Sequence, residues 1–396
     1  MGTSERFERY VGRSGYYQDV EIERTEGNFL VGPEGEHYVD FVAGWCVVNA
    51  GYGRERILNS MRKHAEKAAY VKPTYVNEEV IDLAETLNDI TPGSLEASFR
   101  TVSGTEAVET AIKAARMYTG KEKIVSLEES YHGNAYGAMG AGDTDTKQEF
   151  APLAPGFEHI RPPEYGDDEW YGELEEMFRE EDVAAFLSET VLTHQGVSIP
   201  GKEHYERLRE LTEKHGVLLI LDEVANGFGR TGEMFAADLY GVEPDMMTLA
   251  KGMSSGYAPV GATMMREDIG EEMSNTDMSA YSTFGWVPSA VGAAGANIEM
   301  IQDGLLENAE EKGQLLEERM MEIEGVREVR RRGLLLGVVL DGLEASEVRG
   351  RAAENNLLLG TTNQENVLML SPPLNIDERY VEEGVERLRR TVESLG

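Results

Sequence analysis

Two charged residues stand directly after apolar segments, where a side chain could take part in chemistry. Asp222 ends the apolar run 217–221, and Lys251 follows the apolar stretch 246–250. Burial favours the neutral form of a lysine amine, which is the form that makes an imine with an aldehyde. A buried aspartate requires a cationic partner, such as a protonated pyridine nitrogen. Each residue also has an ordinary alternative, which is capping of the following turn for Asp222 and a surface position for Lys251.

A third segment, SGTEA at 103–107, follows a predicted strand and begins a predicted helix. Ser103 and Glu106 have the spacing of a capping box, which is the ordinary explanation. The free N–H groups and the helix dipole at such a point can also hold a phosphate. Gly104 would let the backbone approach closely, and the hydroxyls of Ser103 and Thr105 would add donors. From this segment alone, both alternatives stay open.

Two further motifs carry weaker signals. Tyr131 and His132 follow the predicted strand 123–127, and an aromatic ring there could stack on a planar ligand or belong to the core. Residues 227–232 match the dinucleotide fingerprint GxGxxG. Four residues separate that motif from Asp222, and no clear helix begins after it. Because the fingerprint must join its strand directly to a helix, we interpret 227–232 as a glycine-rich turn.

The elements that must position these residues alternate between short β-rich runs and helical stretches from about residue 95 to 265. The β-rich runs are 96–102, 123–127, 184–189, 217–222, 246–249 and 261–265. Connections of this length predict a mainly parallel sheet covered by helices on both faces. In such a sheet, ligands bind at the carboxyl ends of the strands, where Asp222 and Lys251 lie.

The two ends of the chain are predicted to pack together as a smaller domain. Residues 1–50 have the turn-rich pattern of an irregular arm, and strands 334–340 and 367–370 follow a long helix. The last helix has one apolar stripe, formed by Val381, Val385, Leu388, Val392 and Leu395. We therefore expect a large domain of residues 51–290 and a smaller α+β domain made of 1–50 and 291–396.

The composition is strongly acidic, with 37 basic against 73 acidic residues and a net charge of −36. Lysine accounts for only 11 of the basic residues. A field this negative repels nucleic acid and anionic membranes, so we expect neither as a partner. The acid-rich, lysine-poor pattern resembles that of proteins from salt-loving organisms more than that of an ordinary acidic enzyme.

The remaining composition predicts an enzyme-sized cytoplasmic protein. The 41% of apolar residues suffices for a substantial core in a chain of 396 residues. No apolar run reaches the length of a membrane span, and the first residues lack the apolar segment of a signal peptide. The lone Cys46 excludes an internal disulfide and a cysteine-based zinc site, and we expect no metal.

Six motifs, taken in order, resemble the class III aminotransferases, which have the aspartate aminotransferase fold. They are SGTEA at 103–107, YHG at 131–133, Glu189, LDEVANGFGRTG at 221–232, LAKG at 249–252 and STFG at 282–285. The similarity spans most of the chain. It implies an α/β protein of PLP fold type I, with a mainly parallel seven-stranded sheet in the large domain. It also implies pyridoxal 5'-phosphate as the cofactor.

The resemblance implies three catalytic residues and a set of cofactor contacts. Lys251 would hold the cofactor as a Schiff base and move the proton, Asp222 would pair with the pyridinium, and Glu189 completes the catalytic set. The other cofactor contacts would be Ser103, Gly104 and Thr105 at the phosphate, Tyr131 and Val224 on the two sides of the ring, His132, and Thr283 reaching the partner subunit. The site would therefore exist only in a homodimer, with a tetramer as the open alternative.

The departures from the family pattern concern the substrate. Acetylornithine-, ornithine- and 4-aminobutyrate-type members carry an arginine that grips a carboxylate where this chain has Met369. A thioether cannot replace a guanidinium fork. Many of the same members have glutamine where this chain has Ala225, and proline where it has Thr190. Together with the loop 254–261, these differences resemble the branch that acts on ω-amino acids and amines with pyruvate.

We therefore expect a ping-pong Schiff-base transfer of an amino group from an ω-amino acid or amine to a 2-oxo acid, either pyruvate or 2-oxoglutarate. One alternative is an aminomutase of the glutamate-1-semialdehyde type. Others are a 4-aminobutyrate or acetylornithine aminotransferase with an unusual carboxylate anchor, and a cofactor-free binding protein on the same fold. The candidate substrate contacts are Trp45, Tyr17 and Arg230, and for each of them simple packing is the alternative.

Overall fold

The computed structural model describes residues 2–12, 20–163, 167–180 and 182–395. These residues form fifteen strands, numbered β1 to β15 along the chain: Arg24–Glu26, Phe29–Val31, His37–Asp40, Ala97–Thr101, Lys123–Leu127, Phe157–Ile160, Val183–Glu189, Leu218–Asp222, Met246–Leu249, Gly261–Met265, Val326–Arg332, Leu335–Leu340, Leu357–Leu358, Gly360–Thr361 and Val367–Leu370. They also form fourteen helices, α1 to α14: Thr3–Tyr10, Ala43–Cys46, Glu55–Lys67, Glu78–Ile90, Gly104–Thr119, Tyr136–Ala141, Asp168–Phe178, Lys202–His215, Ala236–Tyr240, Glu267–Ser274, Pro288–Met300, Leu306–Met321, Ala345–Glu354 and Glu378–Glu393.

The central element is a seven-stranded sheet with the strand order β4-β10-β9-β8-β7-β5-β6. Strands β5 to β9 pair in parallel with their neighbours, and only β10 runs antiparallel to the strands on either side. Strand β8 is buried along its whole length and lies in the middle of the sheet. The predicted mainly parallel sheet is therefore confirmed.

Helices cover both faces of this sheet, because its inner strands are apolar on both sides. Along β8, Leu219 and Leu221 belong to one core cluster, and Leu218 and Ile220 belong to another. The first cluster includes side chains of α4, α7, α8 and α11, and the second includes side chains of α5 and α10. A near-continuous run of apolar residues is what a strand buried on both faces requires.

The two ends of the chain share a separate core. Strands β11, β12, β15 and β14 form a four-stranded sheet, and Val39 and Phe41 from the N-terminal segment pack with the apolar residues of α12, α13 and α14. The predicted apolar stripe of the last helix contributes Val381, Val385 and Leu388 to this core. These contacts agree with a smaller unit that combines both ends of the chain.

The predicted domain boundaries at 50 and 290 stay a prediction. Ala290, Val291, Ala294 and Ile298 of α11 are buried in the core of the seven-stranded sheet. This packing favours a second boundary after α11 rather than at 290. None of the helices in the described ranges is long and apolar enough to cross a membrane.

Candidate active site

The carboxyl ends of three neighbouring strands bring together the charged residues of the site. Glu189 at the end of β7 pairs in register with Asp222 at the end of β8, and Asp222 pairs with Thr248 of β9. Lys251 follows β9 by two residues and is half-buried. Its backbone is left-handed, with φ 38°. The predicted meeting of Asp222 and Lys251 at one edge of the sheet thus has a direct basis in the strand order.

The carboxylate of Asp222 is 3% exposed and is held by three neighbours. Its Oδ1 accepts hydrogen bonds from Thr248 Oγ1 at 3.0 Å and from the Val224 N–H at 3.1 Å. Its Oδ2 lies 2.7 Å from Nδ1 of the buried His132. For an ionised Asp222 to accept this hydrogen bond, Nδ1 of His132 must carry the proton. His132 is then the donor that positions the carboxylate. Nε2 of His132 is buried and has no hydrogen-bond partner among the described residues.

The segment 103–107 begins α5 as the sequence predicts. Ser103 is the N-cap, and its side chain accepts a hydrogen bond from the Glu106 N–H at 3.2 Å. A Cβ atom added at Gly104 would lie 2.7 Å from Cγ1 of Val224, so this turn touches the residue that follows Asp222 by two positions. The capping explanation is therefore correct, and it leaves the first N–H groups of a sixteen-residue helix available to an anion.

Tyr131 and His194 form an aromatic rim at the site. The Tyr131 side chain is 49% exposed, and its ring centroid lies 6.4 Å from that of His194. Burial and the positive charge of Lys251 lower the pKa of His194. The carbonyl of His194 accepts a hydrogen bond from the Asn363 N–H at 2.9 Å, and Asn363 Nδ2 donates to the Glu129 carbonyl at 2.9 Å. The C-terminal loop that carries Asn363 is thereby fixed to the rim.

Glu189 is a nearly buried carboxyl group, 7% exposed. Burial raises its pKa to about 7, and the neighbouring Asp222 charge acts in the same direction. A hydrogen bond from Thr193 and the positive fields of His132 and Lys251 oppose this rise. Near neutral pH, Glu189 can therefore exist with or without its proton.

Two of the three departures from the family pattern, Met369 and Ala225, meet in one apolar cluster. Met369 on β15 and Ala225 after β8 are 3% and 9% exposed. They pack together with Cys46, Val191, Val197, Ala236 and Leu335. The side chains of Met369 and Ala225 therefore occupy the positions where the family pattern has arginine and glutamine, and all members of this cluster are apolar residues.

Trp45 lies on α2, which is a single turn with left-handed backbone. Ala43, Gly44, Trp45 and Cys46 have φ values of 46°, 63°, 63° and 61°. The Asp40 carboxylate holds the start of the turn by accepting hydrogen bonds from the Val42 and Ala43 N–H groups. The Trp45 side chain is 38% exposed while its neighbour Cys46 is buried in the apolar cluster. Its predicted contact with substrate stays a prediction.

Arg230 is fully buried, and its guanidinium is bonded to main-chain and amide oxygens. Its Nη1 donates to the carbonyls of Leu334 at 3.0 Å and Pro372 at 2.5 Å, and its Nη2 donates to Asn49 Oδ1 at 2.8 Å. This arrangement ties the glycine-rich turn to the C-terminal segment and favours the packing alternative over contact with substrate. Tyr17, the remaining candidate, lies outside the described residues.

Thr283 belongs to an exposed part of the surface. Its carbonyl accepts a hydrogen bond from Tyr70 at 3.1 Å, and the neighbouring Phe284 is 66% exposed. No hydrogen bond within the described ranges connects Thr283 to Lys251 or Asp222. The predicted contact of Thr283 with the cofactor of a partner subunit stays a prediction.

Comparison with known proteins shows the family of this chain. Residues 11–392 match the model of the class-III aminotransferases, so the chain belongs to this family. It is 36% identical to the acetylornithine aminotransferase of Archaeoglobus fulgidus over 98% of this chain and 99% of that protein. It is 32% identical to an uncharacterized aminotransferase of Bacillus subtilis, YhxA, over 94% of this chain and 92% of that protein.

Solved structures show the same fold. A transaminase from the marine bacterium Virgibacillus superposes with a TM-score of 0.93 at 29% identity, covering 99% of both chains. The ornithine aminotransferase of Toxoplasma gondii superposes with a TM-score of 0.90 at 27% identity, covering 99% of this chain and 94% of that one. The chain is thus a pyridoxal-phosphate-dependent transaminase of fold type I, and the predicted class of enzyme, fold and cofactor are confirmed.

Proposed function

We propose that Lys251, Asp222 and Glu189 form the catalytic centre of an aminotransferase that acts on amines or ω-amino acids. The observation that carries the proposal is the convergence of Asp222 and Lys251 at the carboxyl ends of β8 and β9. Bound pyridoxal phosphate supplies an electron-withdrawing ring that stabilises negative charge on the substrate carbon. The protein supplies the amine of Lys251, which holds the cofactor and then carries the proton to and from that carbon.

The residues present fit this cofactor. The buried Asp222 has three hydrogen-bond neighbours but forms no ion pair with lysine or arginine within the described part of the chain, which suits a protonated ring nitrogen. Ser103, Gly104 and Thr105 begin a long helix and suit its phosphate. Val224 touches Gly104, so the turn that binds phosphate adjoins a residue that would flank the ring.

The donor in this proposal is an amine or ω-amino acid and the acceptor a 2-oxo acid, pyruvate or 2-oxoglutarate, with any carboxylate bound away from the apolar cluster of Met369 and Ala225. A carboxylate placed against this cluster would be desolvated without a cation, which is costly. The sequence similarity to acetylornithine aminotransferases, at 36% and 37% identity, favours a second candidate function, transfer from N-acetylornithine to 2-oxoglutarate. That candidate requires a carboxylate anchor other than the residue at 369.

A stopped reaction with the aminated enzyme tests the acceptor. Pyruvate, 2-oxoglutarate and semialdehydes are each mixed with it, and recovery of the absorbance of the enzyme-bound pyridoxal form is followed. We expect recovery with a 2-oxo acid. Regeneration by 2-oxoglutarate, together with amination of the pyridoxal form by N-acetylornithine but not by simple amines or ω-amino acids, would favour the second candidate. Turnover of a semialdehyde without any 2-oxo acid would identify a mutase.

We further propose a homodimer in which Thr283 contacts the phosphate bound by the partner subunit. Support comes from a neighbouring group of exposed aromatic side chains, Tyr70, Tyr281 and Phe284, which a partner could cover. Sedimentation equilibrium separates a dimer from a tetramer, and a monomer that retains full activity would contradict the shared site.

We also propose that the enzyme works in a cytoplasm rich in potassium salt. With a net charge of −36, self-repulsion opposes the compact state, and salt screens this repulsion. We expect the thermal midpoint of unfolding to rise as potassium chloride is added from low to molar concentration. A midpoint that stays level or falls in the same titration would contradict adaptation to salt.

Gly104→Ala is expected to weaken cofactor binding without unfolding the protein. The added Cβ would lie 2.7 Å from Val224 Cγ1, so the turn or the valine must move. Overpacking of this kind costs about 1–3 kcal/mol, or roughly fivefold to 150-fold in Kd where the cost falls on the bound state. Titration of the cofactor-free protein with pyridoxal phosphate measures the change. Gly172→Ala on α7 is the control, because nothing lies within 4 Å of a Cβ added there. Equal Kd values for both variants would contradict the predicted role of this turn.

A further inference from the structure

Asn297 of α11 is a fully buried amide beside the turn that carries Lys251. Of the buried residues of α11, all of which lie within the described ranges, it alone is polar. Its Nδ2 donates to the carbonyls of Gly252 at 2.7 Å and Met253 at 3.1 Å. These are the two residues that follow Lys251, so one side chain fixes the orientation of two successive peptide groups next to the residue that bears the amine.

The oxygen of the same amide is left without a partner. Oδ1 of Asn297 is buried and accepts no hydrogen bond from the described residues. A buried acceptor without a partner is costly, and an apolar side chain at this position of the helix would avoid that cost. The reason for an asparagine here therefore lies in its NH₂ group, which holds the turn 251–253.

The turn 251–253 requires support because its backbone is strained. Lys251 has a left-handed φ of 38°, and a residue other than glycine keeps such a conformation only where the surrounding contacts determine it. A second fully buried amide, that of Asn49, packs against the same turn, since a Cβ atom added at Gly252 would collide with its Nδ2. Asn49 is itself fixed by a hydrogen bond from Arg230 at 2.8 Å. Contacts from two distant parts of the chain thus converge on the residue after Lys251.

We propose that Asn297 is a positioning residue for the reaction, which holds the left-handed turn so that the amine of Lys251 stays aligned with the carbon whose proton it carries. The proposal rests on the proposed function, because it assumes the role that Lys251 has there. A misplacement of about 1 Å in such a group can cost roughly a hundredfold in rate. A turn that is fixed in advance requires no reordering at the moment of proton transfer.

Asn297→Leu removes the donor and keeps a side chain of similar length. The aminated enzyme is mixed with pyruvate or 2-oxoglutarate, whichever regenerates the wild type, over a range of concentrations. We expect the saturating single-turnover rate to fall by roughly tenfold to a hundredfold, while the Kd of the 2-oxo acid changes by less than about threefold. This split between rate and affinity distinguishes positioning of the amine from a general disturbance of the site.

Asn308→Leu on α12 is the matched control. Nδ2 of Asn308 likewise donates to two main-chain carbonyls, those of Leu374 and Ile376. An unchanged saturating rate in Asn297→Leu, or a fall no larger than in the control, overturns the proposal. If Lys251→Ala also leaves the rate unchanged, the proposed function fails as well. A strong effect of Lys251→Ala beside no effect of Asn297→Leu overturns the positioning role alone.

Amide hydrogen exchange of the full-length, cofactor-free protein gives a second readout that does not depend on catalysis. The N–H groups of Met253, Ser254 and Ser255 donate to the carbonyls of residues 250, 251 and 252. We expect these groups in the wild type to exchange at least roughly 10²-fold more slowly than in an unstructured peptide, and faster in Asn297→Leu than in the control variant. Unprotected exchange in the wild type overturns the proposal, even if Asn297→Leu does not fold.

Discussion

Lys251→Ala is expected to abolish amino transfer while the fold and phosphate binding persist. The substitution removes both the covalent attachment of the cofactor and the group that carries the proton. Positioned acid–base catalysis alone contributes about 10²–10⁴-fold, so we expect a loss of at least roughly 10⁴-fold in the rate of each half-reaction. Ser103 caps α5, and Gly104 and Thr105 begin it, away from the altered side chain in sequence, so the proposed phosphate binding should persist.

Borohydride reduction followed by mass spectrometry tests the covalent role directly. The wild-type protein should gain the mass of the cofactor on the peptide that contains Lys251, and the variant should gain none. Lys202→Ala is the control, because the Lys202 side chain is 64% exposed on α8. Attachment to another lysine in the variant, or a rate within tenfold of the wild type, would show that Lys251 is not the anchor.

Asp222→Asn is expected to slow both half-reactions by about 10²–10³-fold, or roughly 3–4 kcal/mol, on the scale of one lost preorganised electrostatic contact. The amide can still accept from Thr248 and the Val224 N–H through Oδ1. It cannot balance the charge of a protonated ring nitrogen, and its NH₂ group would face His132 Nδ1 in the place of Oδ2. The variant should therefore fold and bind cofactor, yet stabilise the substrate carbanion poorly.

The measurement is the single-turnover rate with a fast donor, together with the absorbance spectrum of the bound cofactor. Asp238→Asn is the control, since Asp238 accepts from the Phe235 N–H at the start of α9 and, among the described residues, has no hydrogen bond to Lys251, Asp222 or Glu189. A nearly unchanged rate in Asp222→Asn would mean that another group balances the ring nitrogen. A loss of thermal stability equal in both variants, without a difference in rate, would indicate a purely structural role.

The sequence predicts that Asp222 and Lys251 come to one edge of the sheet because both follow the ends of strands. Apolar runs predict β8 and β9, and parallel strands place their carboxyl ends at one edge, so Asp222 and Lys251 must lie near each other. The motif at 103–107 carries its own signals, a capping serine and a glycine. Apolar runs and capping residues are local patterns, so the elements that they define can be predicted without knowledge of contacts between distant residues. The roles of the individual residues still rest on the proposed experiments.

Other features depend on contacts between distant parts of the chain. Strand β6 is missed because Glu158 and His159 interrupt its apolar pattern, and as an edge strand it pairs only with β5. His194 has no motif around it, and only the fold brings it to Tyr131. Met369 and Ala225 are 144 positions apart, so that their shared apolar cluster follows from tertiary packing alone.

The buried position of Arg230 and the left-handed turn at Ala43–Cys46 are also outcomes of long-range contact. Arg230 is fixed by carbonyls at 334 and 372, more than a hundred residues away. The turn is held by Asp40 and by Ser371, whose hydroxyl donates to the Val42 carbonyl. A polar side chain such as that of Arg230 can either bind substrate or hold distant segments together, and the sequence alone does not distinguish these two roles.

Under the proposed role of Lys251, its left-handed backbone places the needs of catalysis against those of folding stability. An L residue with φ 38° is less stable there than glycine by roughly 1–2 kcal/mol. Glycine would relax this strain but would remove the amine, so under the proposed role of Lys251 a stabilising substitution here would abolish activity. Substitutions that increase folding stability should therefore lie elsewhere in the molecule. Laboratory selection for heat resistance should retain lysine at position 251.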